Sequence, residues 1–169
     1  PRVSTKVAQN ERTLFTYLAA NEPNTFQEQL QNAPEGWWHV GVDDLWDYFA
    51  EGIRLDIQPG GVHHVWSGVT YALSKVEPED RLTQRVIKAL GILTIVGDVN
   101  VQALSNGGRV VPTTDLLAWS INQPIESVAN SLQTLTKRSA VAFRRADGFW
   151  TFTRGSDLDL EAEINGIIQ

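Results

Sequence analysis

The stretch TTDLLAWSINQPIESVANSLQTLTKRSAVAFRRADGFWTF, residues 113–152, predicts two short helices followed by a β-hairpin. Thr113 or Thr114 is suited to cap a helix that runs through Trp119, and Pro124 is tolerated where the next helix begins. Two helices joined by a three- or four-residue turn and followed by a hairpin form a winged helix-turn-helix. The apolar seam of the second helix comprises Ile125, Val128, Leu132 and Leu135.

The hairpin is predicted from its turn. Asp147-Gly148 is favoured as a two-residue type I′ turn, in which both central residues adopt positive φ. That turn sets a register with Arg145 opposite Trp150, and strand alternation then assigns the two faces. The face that we expect to point into the core comprises Val141, Phe143, Trp150 and Phe152.

The two adjacent arginines of the hairpin are predicted to differ in role. Arg145 falls beside Trp150, where stacking of a guanidinium on an indole contributes about 0.5 to 1 kcal/mol. We therefore expect Arg145 to act as a structural lid. Arg144 falls on the open face among threonines, so we expect it to be a free surface charge.

Apolar periodicity predicts helices in most of the remaining chain. The second half of the pattern that begins at Arg81, ALGILTIVG at 89–97, is apolar all round, so this helix should be the central buried element. Thr25 and Glu28 have the spacing of a capping box, residues 98–112 are predicted to form a loop, and Ser156 is suited to cap a final helix. The other predicted helices cover about 7–18, a short segment after Thr25, 42–53 and 62–76.

These patterns predict a mainly α fold. We expect an N-terminal helical module at 1–80 and a winged helix-turn-helix module at 81–169, which ends in the β-hairpin and the final helix. The chain of 169 residues has no cysteine and no apolar run near the ~20 residues that span a membrane. We expect a cytoplasmic location, and the absence of methionine together with proline at position 1 indicates a piece of a longer protein.

Charge is distributed unevenly along the chain. Residues 1–80 contain 5 basic and 12 acidic residues, a net of −7, whereas residues 81–154 contain 9 basic and 4 acidic residues, a net of +5. Such a split predicts that any polyanionic partner belongs to the second module.

The outward face of the second helix carries side chains that are able to contact DNA. Asparagine and glutamine bind adenine edges, while lysine and arginine bind guanine or phosphate. An ordinary solvated helix has a similar face, and Glu126 near its leading end repels phosphate, so a winged helix that packs on protein is the alternative. The candidate DNA contacts are Asn130, Gln133, Lys137, Arg138 and Arg144.

Other residue groups are weaker candidates for a site. His63 and His64 are adjacent and therefore point about 100° apart on a helix, which is unsuitable for two ligands of one metal. The acids at 157, 159, 161 and 163 are accounted for in part by the dipole of the final helix. Trp37-Trp38 is expected to pack in the core or against another part of a longer chain.

Catalytic motifs are not found in the sequence. There is no cysteine nucleophile, no Gly-x-Ser-x-Gly and no Gly-x-x-x-x-Gly-Lys-Ser/Thr loop to hold phosphates. We therefore expect this chain to be no enzyme and to hold no metal or cofactor of its own.

Four segments resemble, in the same order, a region of large prokaryotic P-loop ATPases, some of them similar to ATPases of defence islands. The segments are VAQNERTLFTYLAANEP, HHVWSGVTYAL, RVIKALGILTIVG and GFWTFTRGSDLDLEAEI. In that family the region follows the nucleotide-binding domain. The resemblance implies that ATP and Mg²⁺ belong to a parent protein, since no position here matches a nucleotide-binding motif.

The resemblance also implies a role as the non-catalytic arm of an ATP-dependent machine. Under the first hypothesis the winged helix contacts DNA. Under the second it is a regulatory module that docks on the parent's own ATPase domain or on a partner subunit, without nucleic acid.

Overall fold

The computed structural model describes residues 12–36, 38–103 and 110–153, of which 98–103 are described as helical backbone alone. Within these ranges the chain is mainly helical and contains one small antiparallel hairpin, as predicted. The helices are α1 Leu14–Ala19, α2 Phe26–Gln31, α3 Val42–Leu55, α4 His63–Leu73, α5 Arg81–Ala103, α6 Thr114–Ser120 and α7 Ile125–Lys137, and the strands are β1 Val141–Arg144 and β2 Phe149–Phe152.

Helix α5 is the central element, as its apolar sequence predicted. Val86, Ile87 and Leu90 have no exposed surface, and α5 packs against α3, α4, α6, α7 and β2. At Gly91 a Cβ atom would lie 2.7 Å from a methyl group of Val69 and 2.8 Å from the ring of Trp46. Glycine at this position therefore lets α3 and α4 approach α5 closely.

One hydrophobic core includes residues from both sides of position 80. Trp46 of α3 and Val69 of α4 belong to it, together with Leu117 of α6, Leu132 of α7 and Phe152 of β2. Helix α5 lies between these two groups. The division into modules 1–80 and 81–169 stays a prediction.

The predicted capping box at Thr25 is wrong. The Thr25 hydroxyl donates to the carbonyl oxygen of Glu22 at 2.7 Å and caps no helical amide. The Glu28 carboxylate accepts from the backbone N–H of Asn24 at 2.6 Å instead. The positive φ of Asn24, 64°, turns its N–H toward the first turn of α2, and the buried Thr25 side chain faces inward.

The predicted end of the central helix is also wrong. The helix continues past Val96 to Ala103, so residues 98–103 are helical where a loop was expected. Asp98 and Asn100 are weak helix formers, but intrinsic propensity is a small term that the surrounding chain outweighs. At Gly97 a Cβ atom would overlap the carbonyl oxygen of Val110, so the chain returns tightly against α5.

The hairpin forms, but its predicted two-residue turn is wrong. Phe143 pairs with Trp150 and Arg144 pairs with Phe149, which leaves the four residues 145–148 in the turn. Gly148 has a φ of 74°, whereas Asp147 is not among the residues with positive φ. Amides of Asp147 and Gly148 donate to the carbonyl oxygen of Arg144, at 3.2 and 2.7 Å, and close a longer loop.

The aromatic side chains of the hairpin are not all buried as predicted. Phe143 lies 5.1 Å from the ring of Trp150 and is 45% exposed, although we predicted a core position. Phe149, on the other face, is buried. Val141 and Phe152 are buried as predicted.

Several predictions fall outside the described residues. These are the start of the first helix before position 12, Trp37, positions 104–109 of the predicted loop, Ser156 with its final helix, and the acids at 157–163.

Candidate interaction site

Helix α7 separates a buried seam from an exposed face. Val128 and Leu132 are fully buried, while Asn130, Gln133 and Lys137 are exposed. These three candidate contacts therefore share the solvent side of α7.

The two predicted arginine contacts are held by other parts of the chain. Arg138, just after α7, donates a hydrogen bond to the backbone carbonyl oxygen of Lys75. Arg144 forms an ion pair with Asp147 at 3.0 Å, and its guanidinium lies 5.4 Å from the centre of the Phe149 ring. The prediction that Arg144 is a free surface charge is wrong, because the longer turn brings Asp147 beside it.

The predicted lid on Trp150 is also wrong. Arg145 lies in the exposed turn, and Phe143 contacts the indole in its place. The indole N–H of Trp150 donates to the Thr114 hydroxyl at 3.0 Å, and its backbone N–H donates to the carbonyl oxygen of Pro112 at 3.0 Å. These bonds fasten the hairpin to the start of α6.

Two basic side chains of α5 are neutralised by acids of α3. Arg85 donates to both carboxylate oxygens of Asp43, at 2.6 and 3.2 Å, and Lys88 forms an ion pair with Asp47 at 2.7 Å. The hydrogen bond that Arg85 donates to Asp43 raises the pKa of its guanidinium, and burial raises the pKa of the Asp44 carboxyl. These two ion pairs therefore neutralise part of the positive charge of residues 81–154.

Some cations of the second half of the chain have no acidic partner. Within the described ranges, no carboxylate pairs with Arg81, Lys137, Arg138 or Arg145, which are all exposed. Lys137 lies at the end of α7, and Arg145 lies in the hairpin turn.

A different surface lies at the turn between α6 and α7. Trp119 in the last turn of α6 is 78% exposed, and Ile125 at the start of α7 is 53% exposed. Asp115 and Glu126 are exposed beside them. We call the surface formed by Asp115, Trp119, Ile125 and Glu126 the turn surface.

The turn itself is tightly built. Thr113, one of the two predicted caps, lies directly before α6, and its hydroxyl accepts from the Leu116 N–H at 3.2 Å. At the other end Asn122 has a φ of 51°, and the amide of Gln123 donates to the carbonyl oxygen of Ala118 at 3.0 Å. Ile121 is fully buried and anchors the turn in the core.

Sequence reasoning missed the turn surface, although a pattern for it exists. Leu117 and Ile121 are four residues apart and define the buried side of α6. Trp119 lies about 200° from Leu117 on a helical wheel, so it must point away from that side. Asp115 and Trp119, also four apart, share the outer side.

The histidine pair has structural contacts. A ring nitrogen of His63 bonds to the carbonyl oxygen of Arg54, its ring stacks on Trp66, and His64 bonds to the carbonyl oxygen of Gly61 at 3.2 Å. In the described part of the chain no three His, Asp or Glu side chains are grouped to hold a metal ion. None of the helices described there has both the length and the apolar character needed to cross a bilayer.

Comparison of the chain with protein-family models, with curated proteins and with solved structures finds no match.

Proposed function

We propose that this chain is the non-catalytic arm of a larger P-loop ATPase, and that its turn surface docks on the ATPase domain of the same polypeptide. In this proposal α5, α6, α7 and the hairpin make up a winged helix-turn-helix. The order of these elements and the bond from the Trp150 amide to Pro112 support that assignment. The assignment of the parent protein as an ATPase is based on the family resemblance.

The observation that carries the proposal is the exposure of Trp119. A tryptophan that is 78% exposed leaves a large apolar surface in water, and Ile125, six residues later along the chain, is a second exposed apolar side chain. Burial of a large apolar side chain contributes about 2 to 3 kcal/mol. Tryptophan is also enriched among the residues that dominate protein interfaces.

The charges beside Trp119 favour protein over nucleic acid at this surface. Asp115 lies one turn before Trp119 on the outer side of α6, and Glu126 follows Ile125. Two carboxylates repel a phosphate backbone. They suit instead an apolar socket whose rim carries lysine or arginine, which is the partner chemistry that we propose.

The proposal is tested by hydrogen exchange of the amides of 114–126 in this chain and in the longer natural polypeptide. We expect added protection of these amides in the longer polypeptide, because docking excludes water from the turn. Trp119→Ala should abolish the added protection. Phe15→Ala, at an aromatic residue of α1 that is 83% exposed, serves as the matched control and should retain it.

Each other outcome contradicts a defined part of the proposal. Equal protection in both chains overturns docking. Protection that disappears on dilution of the longer polypeptide identifies a separate subunit as the occupant and overturns docking in cis. A reading frame without a Gly-x-x-x-x-Gly-Lys-Ser/Thr motif before Pro1 overturns the ATPase assignment.

DNA binding is the second candidate function, and one observation favours it. Lys137 and Arg145 have no carboxylate partner in the described ranges, and Asn130 and Gln133 are exposed on the same helix. The cations suit phosphate, and the amides suit adenine edges. The contact would use the end of α7 and the hairpin turn, away from the turn surface.

A salt series of fluorescence anisotropy with a duplex DNA tests this candidate. If Lys137 and Arg145 each neutralise a phosphate, their joint replacement by alanine lowers the slope of log K against log salt by about 2. Arg54→Ala, which removes a cation from α3, should leave the slope unchanged. No binding at low salt contradicts DNA as the partner.

A further inference from the structure

A half-buried ion pair joins the start of α3 to α5. Asp43 is 4% exposed, and its two carboxylate oxygens accept from Arg85 Nε and Nη2 at 2.6 and 3.2 Å. This two-point contact fixes both the distance and the orientation of the guanidinium. The pair therefore acts as a rigid link between the two helices.

The same guanidinium reaches the turn between α6 and α7. Arg85 Nη2 also donates to the carbonyl oxygen of Ile121, at 3.0 Å. Ile121 follows the last residue of α6, where the carbonyl groups at the helix end favour a cation. Trp119 lies two residues before this carbonyl and Ile125 lies four residues after it, so Arg85 holds the middle of the turn.

On its other side the link contacts the chain that enters α3. A Cβ atom at Gly41 would overlap an oxygen of the Asp43 carboxylate and would lie 3.0 Å from Arg85 Nη2. The Gly41 N–H donates to the Asp44 carboxylate at 2.9 Å, which holds this backbone against the ion pair. A displacement at position 41 must therefore displace the Asp43 carboxylate.

We propose that Asp43, Arg85 and the Ile121 carbonyl form a mechanical link that couples the backbone at Gly41 to the turn surface. A change in the segment that precedes α3 then alters how Trp119 and Ile125 are presented. Arg85 is the positioning residue of the turn. The regulatory meaning of this link rests on the proposed function of the turn surface, but the link itself can be measured without a partner.

The molecule contains its own control for this link. Lys88 and Asp47 also join α5 to α3, at 2.7 Å, but within the described residues Lys88 makes no hydrogen bond to the turn. Both pairs bridge the same two helices. A change that acts only through the contact of these helices should therefore affect the turn equally in both cases.

Native-state hydrogen exchange of the isolated chain tests the coupling. Gly41→Ala perturbs the far end of the link, and we expect the amides of Asn122 and Gln123 to exchange roughly tenfold faster. Arg85→Lys keeps the charge but loses the two-point contact, and it should have the same effect. Lys88→Gln should leave both amides unchanged.

A second set of amides separates coupling from loss of folding. Amides at Ala89 and Leu90, in the buried middle of α5, report the global stability of each variant, and the amides at 122 and 123 should be accelerated by a larger factor than these. If Gly41→Ala speeds both sets of amides by the same factor, Asp43→Asn, which leaves position 41 intact, replaces it as the perturbation. Unchanged exchange at 122 and 123 in Arg85→Lys and in the residue 41 or 43 variant overturns the proposal.

The result is distinguishable from a failure of docking. Exchange in the isolated chain depends on the link alone, whereas docking is measured in the longer polypeptide. Coupling without docking would leave the link valid and its regulatory role overturned. Docking without coupling would leave the turn surface valid and the link overturned.

Discussion

Two tryptophans at opposite ends of the burial scale define two regions of this molecule. Trp46 is 4% exposed at the crossing of α3, α4 and α5, where Gly91 makes room for its ring. Trp119 is 78% exposed on the turn surface. The residue type is the same, so its role depends on which side of its helix it occupies.

The charges of the two regions differ in the same way. Around α3 and α5 the cations Arg85 and Lys88 each have an acidic partner at hydrogen-bonding distance. At the turn surface the described part of the chain provides no cation for Asp115 or Glu126. The charges of the first region are paired within the chain. The acids of the turn surface are not paired there, which agrees with the proposal that this surface docks on another domain.

The largest expected effect is the loss of the buried ring. Trp46→Ala leaves a cavity between Val69 and Gly91 and should lower the free energy of unfolding by about 3 to 5 kcal/mol. Urea unfolding followed by circular dichroism measures this change. A loss below about 1 kcal/mol would contradict the packing at this crossing.

The two ion pairs between α3 and α5 sharpen the comparison within the first region. Asp43→Ala removes the partner of a half-buried guanidinium and should cost about 2 to 3 kcal/mol, less than a fully buried pair because Arg85 retains some solvent. Asp47→Ala, at the exposed pair, should cost less than about 1 kcal/mol. If both variants lose the same free energy of unfolding in the urea titration, burial does not make the Asp43 pair more stabilising than the Asp47 pair.

A smaller effect is expected at the start of α6. Thr113→Ala removes the hydroxyl that accepts from the Leu116 amide and should cost about 1 kcal/mol. Thr136→Ala, at an exposed threonine of α7, is the matched control and should change stability by less than about 0.5 kcal/mol. The difference between the two midpoints of denaturation measures the cap.

Most helices were predictable because their apolar spacing is a local property. Helices α3, α4, α6 and α7 begin and end within a few residues of their predicted bounds. The Thr113 cap was predictable for the same reason, since it depends on residues within one turn. The extension of α5 beyond residue 97 was not, because the residues there include the weak helix formers Asp98 and Asn100.

The site was less predictable than the fold because it depends on pairings between distant residues. Arg144 is neutralised only in the observed register, which one altered turn decides. Arg85 is engaged by Asp43, which is 42 positions away, and by the carbonyl oxygen of Ile121, so counting charges along the chain overestimated the free positive surface. Burial at the ends of α6 could have been predicted from a helical wheel, and it would have indicated Trp119.

The smallest expected effect on stability separates the two regions most sharply. Trp119→Ala should change the free energy of unfolding of this chain by less than about 0.5 kcal/mol, because the indole is mostly in water already. If Trp119 instead stabilises the fold, Trp119→Ala should lower the free energy of unfolding nearly as much as Trp46→Ala does. A stable variant that loses the added protection of 114–126 in the longer polypeptide is the expected combination, because a side chain that contributes little to folding is free to contribute to binding.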